Sequence, residues 1–75
     1  SKDLVDPSRA GLIDEAFAAA VDFIQAHYDE SLRVEALAKM AKLSVPQFER
    51  RMKRVFHISS AQFITKTRID AALQA

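Results

Sequence analysis

Between residues 33 and 56 the apolar positions fall into two short runs with helical spacing. The first run recurs at i, i+3, i+4 and i+7 and consists of Val34, Leu37, Ala38 and Ala41. The second recurs at i, i+3, i+7 and i+10 and consists of Val45, Phe48, Met52 and Val55. This spacing puts the apolar side chains on one face of each helix. The pattern predicts two short amphipathic helices separated by a tight break at residues 42–44.

Residues that favour helix ends flank the second run. Ser44 is followed three residues later by Gln47, which is a capping-box pattern. Pro46 lies in the first turn, where its missing N–H breaks no intrahelical bond. His57 follows the helix at a position where glycine usually adopts a positive φ, and we expect His57 to do the same. The second helix should therefore cover about residues 45–56.

A longer helix precedes these two. It should begin between residues 6 and 11 and run to about residue 28, with an acidic side and an apolar side. The apolar side holds Leu12, Ile13, Ala16, Phe17, Ala20, Phe23 and Ile24. His27 falls on the same side and is expected to be a core residue with a satisfied ring nitrogen, because no second residue supports a metal site. After the loop, either Ser31 caps the next helix or that helix begins weakly at Arg33.

A last helix is predicted over about residues 60–74, and its apolar positions lie on two faces. Ser59 and Gln62 repeat the capping-box pattern at its start. The side that packs on the other helices holds Phe63, Ile64, Thr67 and Ala71. Ile69 and Leu73 point the opposite way, as in a helix buried between two bodies. We expect both to be exposed in this chain, where they could meet a second packing unit or support self-association.

The composition favours one small all-α domain. The chain has 75 residues, of which 49% are hydrophobic, with one Gly, two Pro and no Cys. The lack of cysteine excludes disulfides and thiolate metal sites and is typical of a reducing cytoplasm. No apolar run could span a membrane, and there is no signal-peptide pattern. We expect a tail over residues 1–10, then a bundle of four helices with a homeodomain-like helix-turn-helix over residues 11–75, and no cofactor.

The formal net charge of +1 is unevenly distributed. Residues 1–30 hold two basic and seven acidic side chains, whereas residues 31–75 hold nine basic and three acidic ones. This asymmetry indicates a polyanionic partner on one side of the molecule, although a solvated surface of mixed charge would give the same count. A short helix, a tight turn and a helix with a basic outer face form the pattern of a helix-turn-helix with its recognition helix.

Three segments resemble the AraC/XylS family of bacterial transcription regulators. They are V-E-A-L-A-K-M-A, L-S-V-P-Q-F-E-R-R-M-K-R-V-F and I-S-S-A-Q-F-I-T-K-T-R-I-D-A-A. The positions that match the family pattern are Leu37-Ala38, Ser44, Phe48, Arg50, Phe63-Ile64, Arg68-Ile69 and Ala72. The chain departs from the pattern where His57 replaces Gly, Ser60 replaces Pro, Met52 replaces an aromatic residue and Arg51 replaces an apolar one. The family joins two helix-turn-helices by one long helix, so the resemblance implies that a second helix-turn-helix and an N-terminal sensor domain of a parent protein are absent here.

The resemblance implies a sequence-specific, cytoplasmic DNA-binding regulator whose base-reading positions correspond to Pro46, Glu49 and Arg50. Arg50 suits this role best, because a guanidinium can pair with guanine O6 and N7 together. Glu49 could accept from a cytosine amino group, and Pro46 offers only apolar contact. Five further residues are assigned to the phosphate backbone, which fixes position but not sequence: Gln47, Lys53, Arg54, Lys66 and Arg68.

Other functions remain open from the residues alone. The chain could be a helical protein-interaction or dimerisation module without catalytic activity. A TetR-like repressor domain fits less well, because we would expect a glycine in its turn and aromatic residues in its recognition helix. We do not expect an enzyme, since no acid/base pair, phosphate-binding glycine loop or activated nucleophile is recognisable.

Overall fold

The computed structural model describes residues 13–74, and within that range the chain forms four α-helices and no strand. They are α1 (Glu15–Ala26), α2 (Val34–Met40), α3 (Val45–Phe56) and α4 (Ser60–Gln74). The prediction of a small all-α bundle is confirmed. The expected tail and the first residues of the expected domain lie outside the described residues. None of the helices within residues 13–74 is long and apolar enough to cross a lipid bilayer.

The first helix is shorter than the sequence predicted. Asp14 is its N-cap, and its Oδ1 accepts from the backbone N–H of Phe17 at 2.8 Å. An aspartate in this position satisfies a donor that the first helical turn leaves unpaired, so it favours a helix start rather than a helix interior. The prediction of an unbroken helix through residues 13 and 14 is therefore wrong. The helix ends at Ala26, two residues before the predicted end.

His27 lies at the end of α1 instead of in the core. It is the C-cap residue, half-buried, with its ring stacked on Phe23 at a centroid distance of 4.2 Å. Its Nδ1 lies 2.6 Å from Oε2 of Glu30. The expected partner for a ring nitrogen is thus present, but the expected core position is wrong because the helix stops one residue earlier.

All four helices contribute to one core. Phe17 lies near its centre, with ring centroids 5.8 Å from Phe48 and 6.4 Å from Phe56. Phe56 in turn contacts Phe63 of α4 at 4.7 Å. The buried apolar side chains are Phe17, Ala20, Ile24, Leu37, Ala38, Ala41, Phe48, Met52, Val55 and Phe63. The apolar faces predicted for the two central helices are therefore confirmed.

The turn between α2 and α3 is a Schellman-type helix end. Lys42 has a φ of 62°, and its N–H donates to the carbonyl of Lys39 at 3.0 Å. The N–H of Leu43 donates to the carbonyl of Ala38 at 2.9 Å, which completes the motif. The sequence predicted the break but not the positive φ. At the other end of α2, Arg33 provides no side-chain cap, so the helix begins weakly, as one of the two alternatives held.

Candidate nucleic-acid interface on α3

The start of α3 is closed by the predicted capping box. Oγ of Ser44 accepts from the N–H of Gln47 at 3.3 Å, and Oε1 of Gln47 accepts from the N–H of Ser44 at 3.0 Å. Pro46 occupies the first turn, and the C-cap is His57, whose φ of 67° confirms the expected left-handed conformation. Both ends of α3 are therefore fixed by local interactions of residues at those ends.

The exposed face of α3 is centred on Arg50. Phe48, Met52 and Val55 are fully buried on the opposite side. Successive residues of an α-helix are about 100° apart, so Pro46 and Arg54 lie about 40° on either side of Arg50. All three are exposed, so Arg50 faces solvent.

The exposed face is cationic and has no counter-charge on it. Gln47 and Lys53 are exposed together with Arg50. Within the described part of the chain, no carboxylate pairs with Arg50, Lys53 or Arg54. A shallow groove beside the α2–α3 turn is lined by Leu43, Gln47, Arg50, Arg51 and Arg54.

Glu49 lies on one flank of α3 and is bound to the next helix. Its Oε1 accepts from the backbone N–H of Ser60 at 2.9 Å, and its Oε2 accepts from the Ser60 hydroxyl. Ser60 is the first residue of α4 and is buried. A carboxylate at a helix N-terminus satisfies unpaired donors and interacts favourably with the helix dipole. The carboxylate is therefore directed to α4 instead of to the exposed face with Pro46 and Arg50, and a base-reading role would require it to leave Ser60.

Arg51 lies on the other flank of α3 and is bound to the first helix. Its guanidinium donates to Oδ2 of Asp14 at 3.2 Å and lies 5.7 Å from the centroid of the Phe17 ring. The backbone N–H of Phe17 and, to a smaller extent, Arg51 hold the pKa of Asp14 below its usual value. This contact explains a half-buried arginine at a position where the family resemblance predicts an apolar residue.

The two α4 residues assigned to phosphate have partners within the protein. Nζ of Lys66 lies 3.0 Å from a carboxylate oxygen of Asp70. Arg68 donates through Nε to the carbonyl of Tyr28 at 2.6 Å and through Nη2 to the carbonyl of Glu30 at 2.9 Å. Arg68 thereby fastens the α1–α2 loop to α4 while keeping its charge, because carbonyl oxygens are neutral. Their contact with phosphate stays a prediction.

The outer side of α4 exposes two large apolar residues. Ile69 is 54% exposed and Leu73 is 80% exposed, which confirms the prediction for this helix. In the described range, no three His, Asp or Glu side chains lie close enough together to hold a metal ion. Comparisons of the chain with family models, with curated proteins and with solved structures found no match.

Proposed function

We propose that this chain is the DNA-binding part of a bacterial, cytoplasmic transcription regulator similar to the AraC/XylS family, with α2 and α3 as a helix-turn-helix. The single observation that carries the proposal is the exposed face of α3, where Arg50, Lys53 and Arg54 stand together without a carboxylate partner in residues 13–74. Folding does not require three unpaired cations on one exposed face. Binding of a polyanion does use such a set of cations.

The dimensions of α3 suit the major groove. An α-helix with its side chains is about 10–12 Å across, and the major groove of B-DNA is about 12 Å wide. Arg50 at the centre of the exposed face would reach base edges, and Pro46 one turn earlier would make apolar contact. Lys53, Arg54 and Gln47 at the sides would contact the sugar-phosphate backbone.

The flanking contacts support a recognition role because they fix the direction of α3. Glu49 ties one side of the helix to Ser60 of α4, and Arg51 ties the other side to Asp14 at the start of α1. A rigid helix loses less conformational entropy on binding. In this proposal Glu49 orients the recognition helix and does not read bases.

A charge reversal tests the proposal. Binding of the 75-residue chain to a labelled duplex pool is measured by fluorescence anisotropy at low salt, for the wild type and for Arg50→Glu. We expect Arg50→Glu to lose most of the binding. The matched control is Arg33→Glu, which makes the same charge change in a different groove, beside Phe23. Equal loss in both variants, or no binding by the wild type at low salt, would contradict the proposal.

A second candidate function is a helical protein-interaction or dimerisation module. The observation that favours it is the exposure of Ile69 and Leu73 on the outer side of α4. It is compatible with DNA binding, and neither candidate requires catalysis. Sedimentation analysis over a range of protein concentrations tests self-association, which Leu73→Glu should abolish.

A further inference from the structure

We infer that Arg54 is a second base-reading residue and that the preferred DNA site carries two guanines on one strand with one base pair between them. This inference rests on the proposed function and deepens it. In the proposed function Arg54 contacts only the sugar-phosphate backbone, whereas here it also reads a base.

The spacing of Arg50 and Arg54 carries the inference. They are four residues apart on a regular helix, so their Cα atoms are separated by about 6 Å along the axis. Two base-pair steps of B-DNA rise about 6.8 Å along the duplex axis. A helix that lies in the major groove with its axis close to the duplex axis would therefore present the two guanidinium groups to bases that are two steps apart.

Both side chains have the chemistry that guanine requires. Each is exposed, and within residues 13–74 neither side chain forms a hydrogen bond or an ion pair. The guanidinium fork pairs with O6 and N7 of one guanine, which the ammonium group of Lys53 cannot reproduce as a planar bidentate donor. Arg51 is unsuited to this role because Asp14 and Phe17 hold it at the flank of the helix.

Two neighbouring polar residues, Glu49 and Gln47, make contacts within the protein. The carboxylate of Glu49 is bound to Ser60, and Oε1 of Gln47 accepts from Ser44. The outermost line of α3 therefore consists of Pro46, Arg50 and Arg54, one turn apart from each other. Only the two arginines of that line can form directional hydrogen bonds to bases.

The test is selection of duplexes from a random pool by the 75-residue chain, followed by sequencing. The wild type should enrich sites with the pattern G-N-G. Arg54→Lys keeps the charge but loses the fork, so it should keep the guanine read by Arg50 and lose the requirement at the other position. In direct titrations, replacing the second guanine by adenine should weaken wild-type binding about 10- to 100-fold and Arg54→Lys binding much less. Arg33→Lys is the control and should behave as the wild type.

The outcomes separate this inference from the proposed function. A motif with a single guanine, or an Arg54→Lys variant that weakens binding to every sequence by the same factor, would overturn the inference and leave Arg54 a backbone contact. Enrichment of G-G or G-N-N-G would also overturn it, because the helix would then not lie along the groove as described. Failure of the wild type to bind any duplex would overturn the proposed function and the inference together.

Discussion

Two helix ends in the described chain are formed by residues with a β-carbon and a positive φ. Lys42 follows the C-cap of α2 with a φ of 62°, and His57 is the C-cap of α3 with a φ of 67°. Outside glycine, this conformation is strained by contact between the β-carbon and the backbone. The His57 conformation was predictable from its place between a helix and a capping serine. The Lys42 conformation was not, because lysine gives no signal for it.

Replacing His57 by glycine should stabilise the protein. The substitution removes the left-handed strain but adds conformational freedom to the unfolded chain, so we expect a net gain of roughly 0.5–1 kcal/mol in the free energy of unfolding. Urea denaturation measures it. His57→Ala keeps the strain and serves as the control, with little change expected. A glycine variant no more stable than the alanine variant would show that φ at this position carries no cost.

The ionisation of Asp14 should make stability depend on pH in the acid range. Because the folded pKa is depressed below the usual 3.8, first by the N–H of Phe17 and then by Arg51, the unfolded state binds a proton more readily than the folded state. The stabilisation is thus present above 3.8 and is lost as pH falls through the lower folded pKa. Melting temperatures from pH 6 to strongly acidic pH should show a smaller acid decrease in Asp14→Asn than in the wild type. Parallel curves would exclude this contribution.

At the scale of the helices, periodicity predicted the buried faces of the two central helices but no specific contacts between helices. The spacing of Phe48, Met52 and Val55 identifies the inner face of α3, because a 3.6-residue repeat leaves one side for the core. The start of α1 was misplaced because Asp14 fits the acidic side of a longer helix equally well. The sequence predicted the candidate interface as a set of cations on one helix. It did not predict the boundaries of that face, which are set by the contacts of Glu49 with Ser60 and of Arg51 with Asp14.

The features that the sequence did not predict are contacts between residues far apart in the chain. Nothing in the local sequence indicates that Glu49 reaches Ser60 or that Arg68 reaches the carbonyl of Tyr28, since these pairs are 11 and 40 residues apart. Only the arrangement of the helices brings them together. Arg51 and Ser60 depart from the family pattern, but neither departure identifies the residue that each of them contacts.

The contact between α3 and α4 should contribute to stability without contributing to base choice. Glu49→Ala leaves the N–H of buried Ser60 without its carboxylate, and hydrogen bonds to charged groups are typically worth about 1.5–3 kcal/mol. We expect a loss of about 1–2 kcal/mol in urea denaturation because Ser59 still caps the helix. Glu49→Gln should lose less, because its amide retains one acceptor. The site selected from a random duplex pool should be the same for all three proteins, and a changed base at one position would restore Glu49 as a reading residue.

At the scale of the whole molecule, six of the nine basic side chains in residues 13–74 lie on α3 and α4. α1 carries acidic residues at its start and along its exposed side, such as Glu15 and Asp22. An acidic α1 region and a basic α3–α4 region would orient the protein toward DNA before contact. At moderate salt the electrostatic field of these charges extends about 10 Å from the surface. Association should therefore be faster at low ionic strength.

Binding to DNA should be weak and strongly dependent on salt, because one recognition helix makes few base contacts and most of the attraction comes from phosphates. With about four phosphate contacts, the logarithm of the association constant should fall with the logarithm of salt concentration at a slope of about −3 to −4. Titrations of a labelled duplex at several salt concentrations give this slope.

Lys53→Gln removes an unpaired cation and should make the slope less steep by about 1. Lys66→Gln should change it less, since Asp70 already lies 3.0 Å from the Lys66 ammonium group. Tight binding that is insensitive to salt, or a larger change for Lys66 than for Lys53, would contradict an interface centred on α3.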